Sequence, residues 1–463
     1  MKVLLINTNT IKPVIAPIGL EYVGEYLIKN KIDVFTLDLN FENDIKNSIQ
    51  KTRPDVIGVT IRNTDDCTFP GKGFFLPDLK KILEEIKKST SSPIVAGGVG
   101  FSVMPGEILE FLELDHGICG DGEAFYQFIK NYPAIENVPN LIYRKEGTLI
   151  TNKVQYSDLS RLNPKRVLFN NIRYFREGGQ GSLETKRGCN KACIYCADPV
   201  SKGCRIRLRD PESVCDEFQS LLKQNIHTFH LCDSEFNIPY EHASHICEAM
   251  IKKDLGKKIK WYAYMSPGPF DLDLAHLMRE AGCAGINFGA DSGSDKILKT
   301  YKRDFTANDL IRTGKDCKKA GLTFMFDLLL GGPGEDEKTC RETIDLMKEI
   351  KPDVVGTAMG VRIYNHTGLA DMIKEQGIIS QNRDLYGVIE NNDNFLKPIF
   401  FLSSKIGEKI FPFVEDLTSH DKRFLFSYGK NKRDYNYNQN TVLTNAIKAG
   451  HRGAFWDILR KLT

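Results

Sequence analysis

Two series of short apolar runs, each alternating with amphipathic stretches, constrain the fold of this 463-residue chain more than any other feature. Parallel strands are joined by helical crossovers, so alternating strand and helix patterns predict an α/β architecture. The first series predicts strands at residues 2–7, 33–38, 55–62, 93–96 and 116–119. These five strands predict a doubly wound, Rossmann-like domain over residues 1–132.

A second series follows residues 133–181, a polar and irregular stretch that we interpret as a linker with a hairpin near residues 143–147. Its strands are predicted at residues 182–186, 228–232, 260–264, 285–288, 323–329 and 354–361. Six consecutive βα units predict a partial (β/α)6, TIM-like barrel over residues 182–375. Residues 376–463 show an aromatic, mostly helical pattern and are predicted to cap the barrel mouth.

The charge balance and the start of the chain exclude some classes of partner. Lys and Arg total 63 against 60 Asp and Glu, far from the strongly basic footprint of a nucleic-acid-binding protein. The chain opens on a strand-like segment without the features of a signal peptide or a long uncharged apolar run. We therefore expect a cytoplasmic protein with neither a nucleic-acid nor a membrane partner. In that compartment, clustered cysteines indicate metal binding or catalysis.

Among the 12 cysteines, three are closely spaced: Cys189, Cys193 and Cys196, which follow the first predicted barrel strand. Three thiolates from one short loop can hold three irons of a [4Fe-4S] cluster and leave the fourth iron open to another ligand. A structural zinc site is the alternative, but it usually pairs two Cys-x2-Cys motifs, and neither His227 nor His230 has the expected spacing. We therefore predict an iron–sulfur cluster.

This Cys-x3-Cys-x2-Cys spacing resembles the signature of the radical S-adenosylmethionine (SAM) superfamily. In that family SAM chelates the open iron, and an aromatic residue, here Tyr195, lies against the adenine. The resemblance implies further SAM contacts at the C-terminal ends of the barrel strands. The common Gly-Gly-Glu after strand two is absent, and an aspartate replaces the family's glutamate after strand four. The candidate SAM contacts are Asp233, Glu235, Asp291, Ser292, Gly332 and Arg362.

Glycine-rich and polar segments also follow the strands of the first domain, where an open α/β sheet binds its ligand. Because it precedes such a barrel, this domain resembles the cobalamin-binding module of cobalamin-dependent radical SAM enzymes. The Asp-x-His-x-x-Gly motif of methionine-synthase-like proteins is absent, so cobalamin is expected base-off, without a histidine as lower cobalt ligand. The implied cobalamin contacts are Ile18, Gly19, Thr60, Arg62, Asn63, Gly97, Gly98, Val99, Gly100, Gly122 and Glu123.

Arg62 is the residue of this domain to which we assign a specific role. At the end of the third predicted strand, its guanidinium could face the lower side of the corrin, discourage a water ligand on cobalt and favour Co(I). A solvated arginine and a phosphate contact to the nucleotide tail are the alternatives.

Together the resemblances imply a C-methyltransferase that moves a methyl group from SAM through cob(I)alamin and methylcobalamin to a carbon of a small molecule or peptide. In most of the family a second SAM yields a 5′-deoxyadenosyl radical. Residues 62–66, 435–440 and 452–457 resemble the tryptophan 2-C-methyltransferase branch, for which a polar route is expected. Glu235 would then approach the open iron in place of SAM, or else hydrogen-bond the SAM amine, and Tyr262 or Tyr264 is the candidate general base.

Three other functions remain open at this point. One is ring contraction, cyclisation or another rearrangement with the same cofactors, which differs from methylation because no CH2 is added. A second is tRNA modification by an enzyme similar to the methylthiotransferases, and a third is a non-catalytic corrinoid or iron–sulfur carrier. We expect a monomer that receives electrons from an external one-electron reductant such as flavodoxin or ferredoxin.

Overall fold

The first alternating series forms one sheet of seven strands. The structure, a computed structural model, describes residues 1–71, 73–419, 421–428 and 433–462. Along the sheet the order is β2-β1-β3-β4-β5-β6-β7, and β1 to β5 are parallel. The strands are β1 (Lys2–Asn7), β2 (Asp33–Asp38), β3 (Val56–Thr60), β4 (Ile94–Gly97), β5 (His116–Ile118), β6 (Leu141–Lys145) and β7 (Thr148–Thr151).

Both faces of this sheet are covered, which explains its apolar strands. In β1, Val3 and Leu5 pack into the core cluster on one face, and Leu4 and Ile6 pack into the cluster on the other. The prediction of a doubly wound domain is confirmed. The helices of this part of the chain are α1 (Ile18–Lys29), α2 (Ile45–Thr52), α3 (Leu76–Ser89), α4 (Val99–Val103), α5 (Pro105–Leu112) and α6 (Ala124–Asn131).

The predicted hairpin is present, but it extends the first sheet instead of standing apart as a linker. β6 pairs antiparallel with β5, and β7 pairs antiparallel with β6. At its turn, Glu146 and Gly147 have φ values of +51° and +82°, as a tight two-residue hairpin turn requires. The domain boundaries at residues 132, 181 and 375 stay predictions.

The second series forms an open barrel of parallel strands, in the order β19-β15-β14-β13-β12-β11-β8. The six predicted strands are present, and β19, from the C-terminal part of the chain, pairs with β15 as a seventh. Its strands are β8 (Gly181–Leu183), β11 (Thr228–Leu231), β12 (Lys260–Met265), β13 (Cys283–Asp291), β14 (Phe324–Leu330), β15 (Val354–Met359) and β19 (Phe424–Phe426).

Two smaller sheets flank the barrel. One is the antiparallel pair β9 (Lys186–Arg187) and β10 (Arg207–Leu208), and the other joins β16 (Val361–Arg362), β17 (Leu385–Gly387) and β18 (Ile399–Phe401). The C-terminal part therefore supplies strands as well as the predicted helices. The remaining α-helices are α7 (Asn171–Gly178), α8 (Asp198–Lys202), α9 (Pro211–Lys223), α10 (Tyr240–Lys252), α11 (Leu272–Glu280), α12 (Asp295–Thr300), α13 (Ala307–Ala320), α14 (Glu337–Ile350), α15 (Gly368–Glu375), α16 (Ile410–Thr418), α17 (Thr441–Lys448) and α18 (Phe455–Arg460), and Ile379–Gln381 and Gly407–Lys409 are 3-10 helices.

Buried contacts tie the first domain to the barrel. Phe69, in the segment between β3 and α3, packs into the barrel core against the ring of Phe400, with centroids 5.5 Å apart. Tyr22 of α1 donates to Glu217 of α9 at 3.0 Å, and Glu217 also pairs with Arg166 and Arg209 at 2.7 Å. In the described ranges of the chain, no helix has both the length and the apolar character needed to cross a membrane.

Candidate cofactor and substrate site

The cysteine loop lies between β9 and α8, just beyond the C-terminal end of the first barrel strand. The backbone N–H of Cys189 donates to the carbonyl of Gly203 at 3.0 Å. Gly188 has a φ of +94°, and a Cβ there would lie 2.3 Å from the carbonyl oxygen of Arg205, so this turn requires glycine. Burial raises the pKa of the Cys189, Cys193 and Cys196 thiols, and bound iron would reverse this effect by stabilising the thiolates.

An arginine lies beside the cysteine loop. Arg303 Nη1 donates to Cys193 Sγ at 3.0 Å. A cation therefore stands beside a sulfur that is negatively charged when it binds iron.

Arg303 also brings predicted site residues together, although no sequence pattern singled it out. Its Nε lies 3.2 Å from Asp291 Oδ2, and its Nη2 lies 3.7 Å from Glu235 Oε1. The hydroxyl of Tyr195 donates to Asp291 Oδ2. Arg303 thus links the cysteine loop, which includes Tyr195, to Asp291 and Glu235. Only folding brings these residues together.

Unlike Asp291, Glu235 makes no side-chain hydrogen bond to another described residue. Its side chain is 13% exposed. Burial raises its pKa to about 7, an effect that Arg303 opposes and Asp291 reinforces. It is therefore available to a ligand beside the cluster loop.

Three other predicted SAM contacts are occupied by protein groups or packed into the barrel. Asp233 accepts hydrogen bonds from the N–H and hydroxyl of Thr185, at 2.7 and 2.5 Å. Ser292 is fully buried, 2.9 Å from the hydroxyl of Thr343. A Cβ on Gly332 would lie 1.9 Å from the hydroxyl oxygen of Tyr301. These residues shape the strand ends, and their contacts with SAM stay predictions.

Arg362 faces the first domain. Its Nε and Nη2 donate to Asp65 Oδ2 at 3.0 and 2.9 Å, and further donors reach the carbonyls of Phe395 and Leu396 at 3.1 Å. Both members of this ion pair are almost fully buried. Arg362 thereby fixes the loop after β3, which carries Arg62, and the structure does not bring it together with the cysteine loop.

A cavity of about 820 Å³ separates the carboxyl ends of the first sheet from the barrel mouth. Gly98 has a φ of +104°, and a Cβ there would lie 2.7 Å from the carbonyl oxygen of Ile61. A Cβ on Gly100 would lie 2.7 Å from the carbonyl oxygen of Arg62, so Gly100 supports the wall without lining it. The predicted residues that line the cavity are Ile18, Gly19, Thr60, Arg62, Asn63, Gly97, Gly98, Val99, Gly122, Glu123, Asp233 and Tyr264.

Charged residues missed by the sequence analysis join the two domains along one wall of this cavity. Asp121 Oδ1 accepts from Arg187 at 2.8 Å and from Arg207 at 3.0 Å. Arg187 also pairs with Glu184 at 2.5 Å and lies 3.7 Å from Glu123. Burial raises the pKa of Glu123, and Arg187 opposes this effect. The wall therefore has nearly balanced charges.

The charge of Arg62, in contrast, is not balanced by an ion pair with a described residue. It lines the cavity, and its guanidinium makes no hydrogen bond or ion pair with any residue in the described ranges. Burial lowers its pKa, with only Cys232, Tyr264 and Cys67 acting in the opposite direction. The cavity residues of the first domain include no histidine. An uncompensated cation on this wall fits a large ligand that supplies its own contacts.

The two tyrosines considered as bases are placed differently. Tyr264 lines the cavity, is 40% exposed and lies 4.7 Å from His230 between ring centroids. Tyr262 is buried, and its hydroxyl donates to Asp457 at 2.8 Å. Tyr264 borders the cavity, and the surrounding protein still removes enough water to raise its pKa to about 12, with nearby Asp327 adding to the effect. Its hydroxyl therefore remains protonated at neutral pH. A role of Tyr264 as a base stays a prediction.

Comparison with known proteins agrees with this arrangement. Residues 4–129 match the family model of the B12 binding domain, and residues 183–347 match that of the Radical SAM superfamily. The chain is a cobalamin-dependent radical SAM enzyme. The family models thus cover the sheet end with Arg62 and the barrel with the cysteine loop.

Similarity over nearly the whole chain narrows this class. The chain is 26% identical to the tryptophan 2-C-methyltransferase of Streptomyces laurentii, over 98% of this chain and 95% of the relative. It superimposes on the radical SAM methyltransferase TsrM from Kitasatospora setae, solved with tryptophan and the SAM analogue aza-SAM, with a TM-score of 0.90 at 27% identity, covering 99% of this chain and 98% of TsrM. The same enzyme with cobalamin and a [4Fe-4S] cluster gives a TM-score of 0.89 at 26% identity, covering 99% and 97%. Within its class the chain is a methyltransferase.

Proposed function

We propose that this enzyme methylates a carbon of the indole ring of tryptophan or of a closely related indole amino acid. The similarity to the Streptomyces and Kitasatospora enzymes supports this acceptor. Cobalamin, when bound, supplies a cobalt that takes a methyl group from SAM and passes it to the acceptor. The chain's own residues hold the three partners in position.

The observation that carries the proposal is a cavity that residues of both domains line. One wall carries Arg62 with Gly97 and Gly98 at the end of β4, which fit cobalamin. The barrel wall carries Tyr264, Tyr435 and Phe455. Aromatic walls suit an indole, because rings stack or meet edge to face at low entropic cost. Donor and acceptor are thereby confined to one space, which is how orientation lowers a barrier.

The test is an anaerobic reaction of the reconstituted protein with hydroxocobalamin, a low-potential reductant, methyl-labelled SAM and tryptophan. We expect a labelled product heavier by one CH2, with the position of the new methyl group assigned by NMR. Consumption of labelled SAM without any labelled tryptophan would contradict this choice of acceptor. A labelled peptide formed in a parallel reaction with peptide mixtures would replace it.

Glu235 distinguishes the two routes for the chemistry. We propose that its carboxylate, free of hydrogen bonds to described residues and 3.7 Å from Arg303, occupies the open iron during turnover. The wild type should then form no 5′-deoxyadenosine with SAM and dithionite, whereas Glu235→Ala should form it. If Glu235 instead binds the SAM amine, Glu235→Ala will weaken SAM binding and form no more 5′-deoxyadenosine than the wild type.

We further propose that the enzyme works in the cytoplasm as a monomer and receives electrons from an external one-electron donor such as flavodoxin or ferredoxin. All 12 cysteines are free of disulfides, as is usual in a reducing compartment. Light scattering of the holoenzyme tests the oligomeric state. Reduction of the cluster by flavodoxin, followed by its loss of visible absorbance, tests the electron donor.

A further inference from the structure

A carboxylate without a cationic partner lies inside the barrel, beside the cavity. Asp327, on β14, accepts a hydrogen bond from the hydroxyl of Tyr435 at 2.6 Å and one from Asn287 at 3.4 Å. No Lys, Arg or His in the described ranges forms an ion pair with it. Burial raises its pKa to about 6, and Tyr435 and Asn287 oppose this only in part. A half-buried carboxylate without a cationic partner is costly unless a ligand supplies the missing charge.

The backbone opposite Asp327 is a glycine, which lets the carboxylate pack closely against β15. Gly356 of β15 faces Asp327 across the parallel pair. A Cβ on Gly356 would lie 2.7 Å from Asp327 Oδ1 and 3.1 Å from the ring of Tyr435. The methyl of Met325 would lie closer still, at 2.1 Å, so any side chain at position 356 would displace Asp327 and the residues that hold it.

Two further polar atoms near Asp327 lack partners. Asn287 Oδ1 and the hydroxyl of Tyr437 are buried, and neither has a hydrogen-bond partner in the described part of the chain. Leaving a buried polar group unpaired costs about 1–3 kcal/mol, so such atoms usually mark a place where a ligand or water binds. Asn287 Oδ1 is an acceptor, which adds to the acceptor capacity of Asp327.

Aromatic rings connect this polar group with the cavity. Tyr435, Tyr437 and Phe455 all line the cavity. The rings of Tyr435 and Tyr437 lie 5.6 Å apart, and those of Tyr437 and Phe455 lie 5.4 Å apart, both edge to face. Aromatic faces attract organic cations and pack against planar rings.

We propose that Asp327 binds the cationic amino group of the methyl acceptor and so selects an amino acid or amine as substrate, an inference that rests on the proposed function. An ammonium group donates three hydrogen bonds and carries the charge that Asp327 lacks. An indole N–H donates one hydrogen bond and is neutral. The ammonium therefore matches both Asp327 and Asn287 Oδ1, while the aromatic rings receive the indole.

The test compares ligands that differ in one group, using the reconstituted holoenzyme and isothermal titration calorimetry. Tryptophan and tryptamine carry the amine, whereas indole-3-propionate lacks it. Asp327→Asn keeps the size of the side chain and an oxygen for Tyr435 but removes the charge. We expect it to weaken tryptophan and tryptamine binding by roughly 10- to 100-fold, the value of a hydrogen bond to a charged group. Binding of indole-3-propionate should be unchanged or tighter.

The matched control is Asp345→Asn, an exposed aspartate on the outer helix α14, which should change no affinity. In turnover, Asp327→Asn should raise KM for tryptophan at unchanged cobalamin and iron content. If Asp327→Asn loses affinity equally for all three ligands, or loses none for the two amines, the proposal is overturned, while tryptophan can still be the acceptor. If the wild type binds neither amine, the proposed function fails, and this inference fails with it.

Discussion

The ion pair between Asp65 and Arg362 should determine how firmly the loop that carries Arg62 is held against the barrel. In Asp65→Asn, the buried Arg362 keeps its carbonyl acceptors but loses the neutralising charge. Breaking a buried pair costs about 3–5 kcal/mol. Because the amide oxygen still accepts one hydrogen bond, we expect the free energy of local opening of the loop to fall by less than that, about 2–3 kcal/mol.

Hydrogen exchange measured by mass spectrometry reads this free energy directly. Peptides that cover residues 61–71 contain the Cys67 N–H, which is bonded to Asp65, and the Asp66 N–H, which is bonded to Gly73. An opening free energy lower by about 2–3 kcal/mol makes these amides exchange about 30- to 150-fold faster.

The control for this measurement is Asp78→Asn on α3, where the partner Lys81 and the aspartate are 75% and 78% exposed. Exposed ion pairs contribute little to stability, so hydrogen exchange in the peptides that cover residues 61–71 should not change. An Asp65→Asn protein whose loop exchanges at the wild-type rate would refute the assignment of Arg362 to the loop. Arg362 would then be free for the SAM contact that the sequence predicted.

Three further predictions concern the cofactors and the barrel carboxylate. Replacing Cys189, Cys193 and Cys196 with Ala should remove about four irons and four sulfides per chain, by chemical analysis after anaerobic reconstitution; stoichiometric zinc in the wild type would contradict this. Arg62→Ala, saturated with cobalamin, should admit water to cobalt and shift the Co(II)/Co(I) couple to a more negative potential, measured by spectroelectrochemistry; an unaltered potential with weaker cobalamin binding would favour the phosphate-contact role instead. The fold raises the pKa of Asp327 to about 6, so the folded state favours the neutral carboxyl more than the unfolded state does. The wild type should therefore lose stability relative to Asp327→Asn as pH rises from about 4 to about 6. The loss is about 3 kcal/mol at most, and parallel urea curves for the two proteins at several pH values should diverge over that range.

The sequence by itself determined the class of the protein, because its strongest signals are local. Three cysteines within eight residues can be recognised without knowing the fold. Strand and helix periodicity predicted both parallel sheets, since apolar residues on both faces of a strand are visible in the sequence. Gly97 and Gly98 at the end of β4 were found in the same way, because an apolar strand that ends in two glycines is a contiguous pattern.

Only the tertiary structure decided which side chains meet. Arg303 contacts Cys193 across 110 residues of sequence and also lies beside Asp291 and Glu235, and Asp65 meets Arg362 across 297. Such pairs have no fixed spacing, so no local pattern reveals them. The burial of a residue is likewise not visible in the sequence. The pKa of Asp327 is raised because β13, β15 and the segment with Tyr435 pack around it. The cofactor motifs are therefore local in the sequence. The residues around Asp327, which we propose to bind the substrate, come together only in the folded chain.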